Sequence, residues 1–260
     1  MQKQVVITFL SGDGQLPKAI AGRLHSYGFD AVGGPWKDDL VQMEWQGQQE
    51  LLLKPETAAW IIVATPEEME SATLRYGLSA LALAVTAAKP FIPCFLLSTG
   101  AAAFAAENLP TPLAGMINLA AADQSLCAKL VAKVNLPHPK SKGTYRLSIL
   151  GTPQIGQWFE VGPAAGVTPW KGAIFGVTGG EIDFQAVGPS GELPKNSTLS
   201  YPSNGIKLTM QGKEFTAWGV ANELAPGESY YARVRGNPEM LLFGPFPDSD
   251  DPELYYQRMS

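Results

Sequence analysis

A turn of small and acidic residues, Ser11-Gly12-Asp13-Gly14, follows the strand-like run from Val5 to Leu10. In an open parallel sheet, ligands bind beyond the carboxyl ends of the strands, where the next helix presents free backbone amides. The predicted helix begins near Pro17, which stands where the dinucleotide-binding fingerprint requires a third glycine. The four turn residues are therefore candidate nucleotide-binding residues outside the Rossmann pattern. A tight turn with a helix cap is the structural alternative.

Three glutamates, Glu67, Glu68 and Glu70, follow the apolar run from Trp60 to Ala64. Carboxylates are the groups that general acid, general base and cation-stabilising chemistry use. The segment Thr65-Pro66-Glu67-Glu68 has the pattern of a capping box with proline at the first helical position. It predicts a helix that starts at Thr65 and gives Glu68 a structural role.

Other reactive side chains are few. His25 and His138 are far apart in sequence, and neither has a recognisable nucleophile beside it. Cys94 and Cys127 have apolar neighbours and no metal-ligand spacing, so we expect reduced thiols of a cytoplasmic protein and no metal site. The sequence contains no phosphate-binding glycine-lysine loop.

The composition argues against several classes of protein. With 45% hydrophobic residues the chain can fill a core, and 19 basic against 24 acidic side chains leave no excess of positive charge for nucleic acid. Lys89, Pro90 and Pro93 interrupt the most hydrophobic region, so its pieces are shorter than the ~20 residues of a membrane helix. The first residues do not resemble a secretory signal. We expect a cytoplasmic protein without a membrane or nucleic-acid partner.

The elements that would position these residues change in character near residue 140. Up to Leu136, short β-branched or aromatic runs alternate with longer alanine- and leucine-rich stretches, which predicts a parallel sheet with flanking helices. Residues 1–137 are the predicted α/β domain with flavodoxin-like layering, residues 138–143 a linker, and residues 144–260 an all-β domain. The expected helices include Pro17 to Tyr27, Leu40 to Leu52, Thr65 to Ala88 and Ser125 to Val134.

The second half has no helical periodicity until its end. Short strand-like runs recur at roughly ten-residue spacing between glycines and prolines, which predicts an antiparallel sandwich or barrel. Gly179-Gly180-Glu181 is predicted to be a hairpin turn, and Pro252 to Arg258 a short terminal helix. Six aromatic residues could fill the core or form a surface for sugars or a partner protein. They are Trp158, Trp170, Trp218, Tyr230, Tyr231 and Phe246.

The first 136 residues resemble the Toll/interleukin receptor homology (TIR) domain. Val5 to Asp13 is similar to the opening strand of that family and its serine- and acid-bearing loop, and Leu24 to Ala31 to its first helix and second strand. Trp36 to Asp39 would then lie in the variable loop, and Ala59 to Thr65 in the strand before the active-site helix. The β-rich half has no recognised relative.

The resemblance implies a site in the helix after Thr65. Catalytic TIR domains cleave the bond between nicotinamide and ribose in NAD, with a glutamate that stabilises an oxocarbenium-like cation. Here Ser71 is in place, but Leu74 stands where tryptophan is expected and Gly77 where the glutamate should be. A glycine within a helix costs roughly 1 kcal/mol against alanine, so Gly77 is either a close-packing position or a degenerate one.

Three hypotheses follow. The first is a TIR-like interaction or signalling module without the catalytic glutamate, whose β domain recognises a protein partner or ligand; the family also implies self-association. The second, also implied by the resemblance, is an NAD glycohydrolase whose catalytic residue is Glu70 or a neighbouring glutamate, with Ser11, Asp13 and Trp36 lining the pocket. The third is a carbohydrate- or peptide-binding protein that uses the aromatic residues of the β domain. No cofactor is predicted, while NAD stays open as a ligand or substrate.

Overall fold

The computed structural model describes residues 3–10, 12, 14–136, 143–246 and 253–260. The chain divides into two compact units, Met1–Pro139 and Lys140–Met259. The first unit is a five-stranded parallel sheet with flanking helices, and the second contains a seven-stranded antiparallel sheet. The expected α/β domain followed by a β domain is therefore confirmed.

The sheet of the first unit has the strand order β2-β1-β3-β4-β5. Its strands are β1 (Lys3–Phe9), β2 (Phe29–Pro35), β3 (Thr57–Ala64), β4 (Cys94–Ser98) and β5 (Ile117–Ala120). The chain reverses its direction across the sheet between β1 and β3, and such switch points form a crevice at the carboxyl ends of the strands. The central strand β3 is buried along nearly its whole length, as its apolar run predicts.

Helices cover both faces of this sheet. They are α1 (Gln15–His25), α2 (Gln49–Leu53), α3 (Ala72–Ala88), α4 (Thr111–Ala114) and α5 (Leu126–Asn135). Ile20 and Leu24 of α1 share one core with Leu126 and Leu130 of α5. Helix α3 is buried without interruption from Tyr76 to Val85, which explains why its sequence is apolar on every side. No described helix is long and apolar enough to cross a lipid bilayer.

Several predicted boundaries in the first unit are wrong. The capping box at Thr65 forms, but it closes only a short 3₁₀ turn, Glu68–Glu70, and α3 begins at Ala72. Tyr27 lies beyond the end of α1 and is 55% exposed. The helix expected from Leu40 is reduced to a 3₁₀ turn and α2, and the short strand β5 was not predicted. The proposed linker falls largely on residues outside the described ranges.

In the second unit the strand order is β6-β7-β11-β8-β10-β9, with β12 also paired to β11. The strands are β6 (Tyr145–Thr152), β7 (Gly156–Pro163), β8 (Ala173–Pro189), β9 (Ser203–Met210), β10 (Lys213–Val220), β11 (Glu228–Pro245) and β12 (Tyr255–Arg258). The predicted terminal helix is therefore wrong where the structure describes it, since Tyr255–Arg258 pairs with β11 as a strand. Two adjacent tyrosines suit such a strand.

The two longest strands, β8 and β11, run through both halves of the sheet. At one end β11 pairs with β7, and at the other end it pairs with β12. Phe159 of β7 stacks on Phe175 of β8 with ring centroids 5.4 Å apart, so the two halves pack face to face. The predicted hairpin turn at Gly179-Gly180-Glu181 is wrong. Gly179 adopts a left-handed φ of 71° within a strand that continues through it.

Candidate functional site

The carboxyl ends of β1 and β3 lie side by side at the switch point. The amide of Leu10 donates to the carbonyl of Val63 (3.1 Å), and the amide of Trp36 donates to the carbonyl of Phe9 (2.8 Å). The loops that follow β1, β2 and β3 therefore begin next to one another. Of the predicted nucleotide-binding residues, Gly12, Gly14 and Trp36 lie in these loops.

Gly12 and Gly14 follow β1 in this crevice. Both adopt left-handed backbone conformations, with φ of 95° and 74°, which glycine allows at little cost. Gly14 is the residue before α1, and its carbonyl accepts from the amide of Lys18 (3.0 Å). Ser11 and Asp13 lie outside the described residues.

Trp36 occupies the place where the resemblance puts the catalytic glutamate. A Cβ atom added to Gly77 would lie 2.8 Å from Cζ2 of Trp36 and 3.3 Å from Cδ2 of Leu40. Gly77 is thus a close-packing position on α3, and a longer side chain has no space there. Trp36 is only 8% exposed, so its indole is part of this contact. Its Nε1 is buried, with no hydrogen-bond partner among the residues described.

The three glutamates before α3 point to no common site. Glu68 accepts a hydrogen bond from the amide of Thr65 (2.7 Å), while the Thr65 hydroxyl accepts from the amide of Glu68 (3.1 Å). Glu67 and Glu70 are exposed. The described residues include no group of three or more His, Cys, Asp or Glu side chains that could hold a metal ion. The candidate Glu70 therefore lies in a solvated 3₁₀ turn rather than within α3.

A chain of exposed hydrogen bonds joins the loop after β2 to the start of α3. The Thr73 hydroxyl donates to Oδ2 of Asp38 (2.6 Å) and lies 3.0 Å from the Ser71 hydroxyl. Ser71 is the N-cap of α3, and its Oγ accepts from the amide of Leu74 (3.4 Å). These contacts fix the loop that carries Trp36 against α3.

A shallow cleft of about 360 Å³ opens at the opposite, amino edge of the sheet. Phe91 and neighbouring prolines give it an apolar lining, with Lys3 and Lys89 among its other residues. Lys89 Nζ donates to the carbonyls of Lys54 and Thr57, and Lys3 Nζ donates to the side chain of Asn135 (2.7 Å). Burial lowers the pKa of Lys89, although Glu56 opposes the shift. Both ammonium groups thus have structural partners.

Three side chains form a row across the outer surface of the second unit. Arg233 of β11 lies between Trp158 of β7 and Phe184 of β8 in the strand register. Its guanidinium carbon is 5.6 Å from the Trp158 ring centroid and 5.5 Å from that of Phe184. The two rings meet edge to face, 5.7 Å apart. Such cation–π contacts are each worth about 0.5–1 kcal/mol at exposed sites.

A β-bulge brings Asp183 to the same row. The register of β8 against β11 shifts between Arg233 and Val234, so that Asp183 has no direct partner in β11. Its carboxylate accepts from Nε and Nη2 of Arg233 (2.7 and 3.2 Å) and contacts Nε of Arg235 (2.5 Å). Burial opposes ionisation of Asp183, but the two arginines outweigh it and hold its pKa below the ordinary value.

We refer to Ile155, Trp158, Asp183, Phe184, Arg233 and Arg235 as the aromatic–arginine surface. Phe184 is 51% exposed and Ile155 is 46% exposed. Of the six aromatics noted in the sequence, Trp170, Tyr230 and Tyr231 are core residues, while Trp158 is only partly buried. Phe184 and the two arginines were not predicted from the sequence. Their outward positions in neighbouring strands were the available signal, but only the strand register brings them together.

Farther along the same face, a buried carboxylate fixes the loop after β8. Glu160 Oε1 accepts from the Ser229 hydroxyl (2.7 Å), the Gly191 amide (2.9 Å) and Arg146 Nη1 (3.3 Å). The Tyr231 hydroxyl donates to the carbonyl of Pro189, and burial raises its pKa to about 12. Three donors therefore converge on Oε1 of Glu160, and this network supports the structure beside the aromatic–arginine surface.

Compared with known protein families and with curated proteins, the chain matches no family model and no curated sequence.

Proposed function

We propose that this chain is a TIR-like interaction or signalling module that does not hydrolyse NAD, and that its β unit recognises a partner protein. The observation that carries the first part is the packing of Trp36 on Gly77. Cleavage of a glycosidic bond requires a carboxylate near the developing cation. At the position in question there is no side chain, and the indole leaves no room for one.

Glu70 is a poor substitute for that missing carboxylate. It is exposed in the turn before α3, whereas a catalytic carboxylate is effective in a site from which water is excluded. Glu68 is already engaged with the Thr65 amide. These placements favour an interaction module over a hydrolase.

The aromatic–arginine surface supports the second part of the proposal. Tryptophan and arginine are enriched among the residues that dominate protein interfaces, where rigid, partly apolar groups contribute most. Here the position of the Arg233 side chain is fixed before a partner binds, because Nε and Nη2 of Arg233 both donate to the carboxylate of Asp183. No comparable exposed aromatic row is found in the described part of the first unit.

Incubation of the purified chain with NAD at millimolar concentration, with nicotinamide measured by chromatography, tests the absence of hydrolysis. We expect no release above that of a buffer blank, and the same result for Glu70→Gln. Release that follows the protein across chromatographic fractions would overturn the proposal. If that release were lost in Glu70→Gln, the glycohydrolase hypothesis would replace it.

A further inference from the structure

We propose that Asn204 is a site of spontaneous deamidation in the folded chain, and that Gln185 assists the reaction through a hydrogen bond to the reacting carbonyl. Asn204-Gly205 is the one Asn-Gly pair in the sequence, and it lies in the edge strand β9. The inference goes beyond the proposed function and does not depend on it.

An asparagine that precedes a glycine is chemically labile, because its side chain can react with the next backbone nitrogen. The nitrogen of Gly205 gives its proton to water or hydroxide and attacks Cγ of Asn204. The new N–Cγ bond replaces the Cγ–Nδ2 bond, and Nδ2 takes a proton from water and leaves as ammonia. A water molecule then opens the resulting succinimide at either carbonyl. The products are aspartate and isoaspartate, in which the main chain runs through the former side chain.

The strand pairing leaves this dipeptide outside the regular ladder. Strand β9 pairs with β10 at Ile206 and again at Ser203, and the register shifts between them, so that neither Asn204 nor Gly205 has a partner residue in β10. Asn204 is exposed. Gly205 has a left-handed φ of 71°, and a Cβ added there would meet no atom within 4 Å. The attacking nitrogen therefore belongs to a residue that no strand pair holds and that has space for the ring beside it.

The carbonyl that is attacked already accepts a hydrogen bond. Nε2 of Gln185 donates to Oδ1 of Asn204 (2.8 Å). Negative charge develops on this oxygen when the nitrogen of Gly205 attacks. A donor placed there stabilises the tetrahedral intermediate, as the donors of an oxyanion hole do. Gln185 is buried whereas Asn204 is exposed, so the donor lies on the more ordered side of the contact.

Tyr230 determines which end of the Gln185 amide faces Asn204. The buried Tyr230 hydroxyl donates to Oε1 of Gln185 (2.7 Å). Burial raises the pKa of Tyr230, so the hydroxyl keeps its proton at neutral pH. Because Oε1 is occupied in this way, Nε2 faces Asn204. An amide nitrogen only donates, so the atom that it contacts is the carbonyl oxygen of Asn204, and Nδ2 is the end that leaves.

Deamidation would change the edge of the sheet in two ways. Either product places a negative charge where a neutral amide stood beside Gln185. Isoaspartate also adds a carbon atom to the main chain of β9, which disturbs the alternation of its side chains between the two faces. The site is therefore one at which the folded chain alters its own edge strand with time.

Incubation of the full-length chain in water enriched in oxygen-18, at mildly alkaline pH, tests the inference. Each deamidation incorporates one oxygen atom from water, and peptide mapping by mass spectrometry locates it. We expect label at Asn204 in the folded chain. Gln185→Met should slow its incorporation about three- to tenfold, which is the effect of losing one hydrogen bond of ordinary strength. In urea the unsubstituted chain and Gln185→Met should react at the same rate, because the contact is absent.

Tyr230→Phe is a second variant that retains Gln185. It removes the hydroxyl that orients the Gln185 amide, and it should also slow the reaction in the folded chain. Circular dichroism should show that both variants fold, and Tyr230→Phe carries the test if Gln185→Met does not. Asn204→Gln should abolish labelling at this position, because a longer side chain closes the ring poorly.

Asn196→Gln is the matched control. Asn196 is another exposed asparagine, which precedes β9, and its substitution should leave the rate at Asn204 unchanged. Absence of label at Asn204 in the folded chain would overturn the inference. Faster labelling in Gln185→Met would do so as well, since it would show that Gln185 only restrains Asn204. Equal rates in the two folded proteins would show that Gln185 gives no assistance and would overturn the proposal.

These measurements involve neither NAD nor a partner protein. Nicotinamide release would overturn the non-hydrolytic assignment and leave the labelling result standing. An unlabelled Asn204 would leave that assignment standing.

Discussion

Gly77 and Trp36 are neighbours in the structure although 40 residues separate them in the chain. The indole lies so close to the glycine that an added Cβ would be 2.8 Å from Cζ2. The contact joins the loop after β2 to the middle of the most buried helix, α3. It determines the packing of this face of α3.

Replacing Gly77 with alanine should destabilise the α/β unit. The methyl group would gain roughly 1 kcal/mol of helix propensity, but overpacking against a buried indole costs about 1–3 kcal/mol. We expect a net loss of up to about 2 kcal/mol. Urea unfolding followed by far-UV circular dichroism at the helical wavelength measures it, since all described helices belong to this unit.

Gly22 supplies the control for that experiment. It lies within α1, and a Cβ there would meet no atom within 4 Å. Gly22→Ala should therefore raise the free energy of unfolding by about 0.4–1 kcal/mol. In a Trp36→Leu background the loss from Gly77→Ala should disappear, and equal losses in the two backgrounds would show that the indole contact is not its cause.

Ser71→Ala should weaken the start of α3. Its hydroxyl is the N-cap acceptor for the Leu74 amide, and removal of such a cap costs about 1 kcal/mol. Ser71→Gly should cost only a few tenths of a kcal/mol. The same unfolding measurement applies, and identical losses for alanine and glycine would contradict a capping role.

Asp183→Asn should reduce the stability of the β unit at neutral pH by about 1–2 kcal/mol, because a charged acceptor of two arginines becomes neutral. A folded-state pKa below the ordinary value means that this stabilisation is fully present above the unfolded pKa of about 3.9. It is lost as pH falls through the lower folded-state pKa. The unfolding curves of Asp183→Asn and the unsubstituted chain should therefore differ at pH 7 and converge as the pH is lowered.

Glu181→Gln is the matched control for Asp183. Glu181 lies two residues earlier in β8 and is exposed. Its substitution should change the free energy of unfolding by less than about 0.5 kcal/mol at either pH. A difference between Asp183→Asn and the unsubstituted chain that grew on acidification would have the wrong sign for this explanation.

Tyr201→Gly should stabilise the β unit. Tyr201 has a φ of 47° and is 87% exposed, so its side chain contributes little packing while its backbone is strained. Glycine relieves that strain, and we expect a gain of about 0.5–1 kcal/mol in chemical unfolding. A loss of stability would indicate that the tyrosine ring makes contacts which compensate for its backbone.

The layers of the fold could be predicted because their signals are local. The apolar run of β3 and the alternation of strands with alanine-rich helices specify a parallel sheet without knowledge of distant contacts. The start of α3 could not be specified in the same way. Thr65 and Ser71 are both suitable caps, and the first closes only a 3₁₀ turn before the second begins the helix.

The candidate site was less accessible because it depends on distant contacts. The sequence identifies Gly77 as unusual, yet it does not show that Trp36 fills the adjacent space. In the β unit, Trp158, Phe184 and Arg233 are each an ordinary strand residue. Their row exists only in the observed register, and Asp183 reaches it only through a bulge, which follows from the pairing of whole strands.

Strands β8 and β11 belong to both halves of the antiparallel sheet, and this continuity has an energetic consequence. Neither half can open without breaking backbone hydrogen bonds of a strand that the other half also uses. The sheet should therefore behave as one cooperative foldon in native-state hydrogen exchange. A partner bound at the end of the sheet that holds Trp158 would then slow amide exchange at the end that holds β12, although the partner does not contact β12.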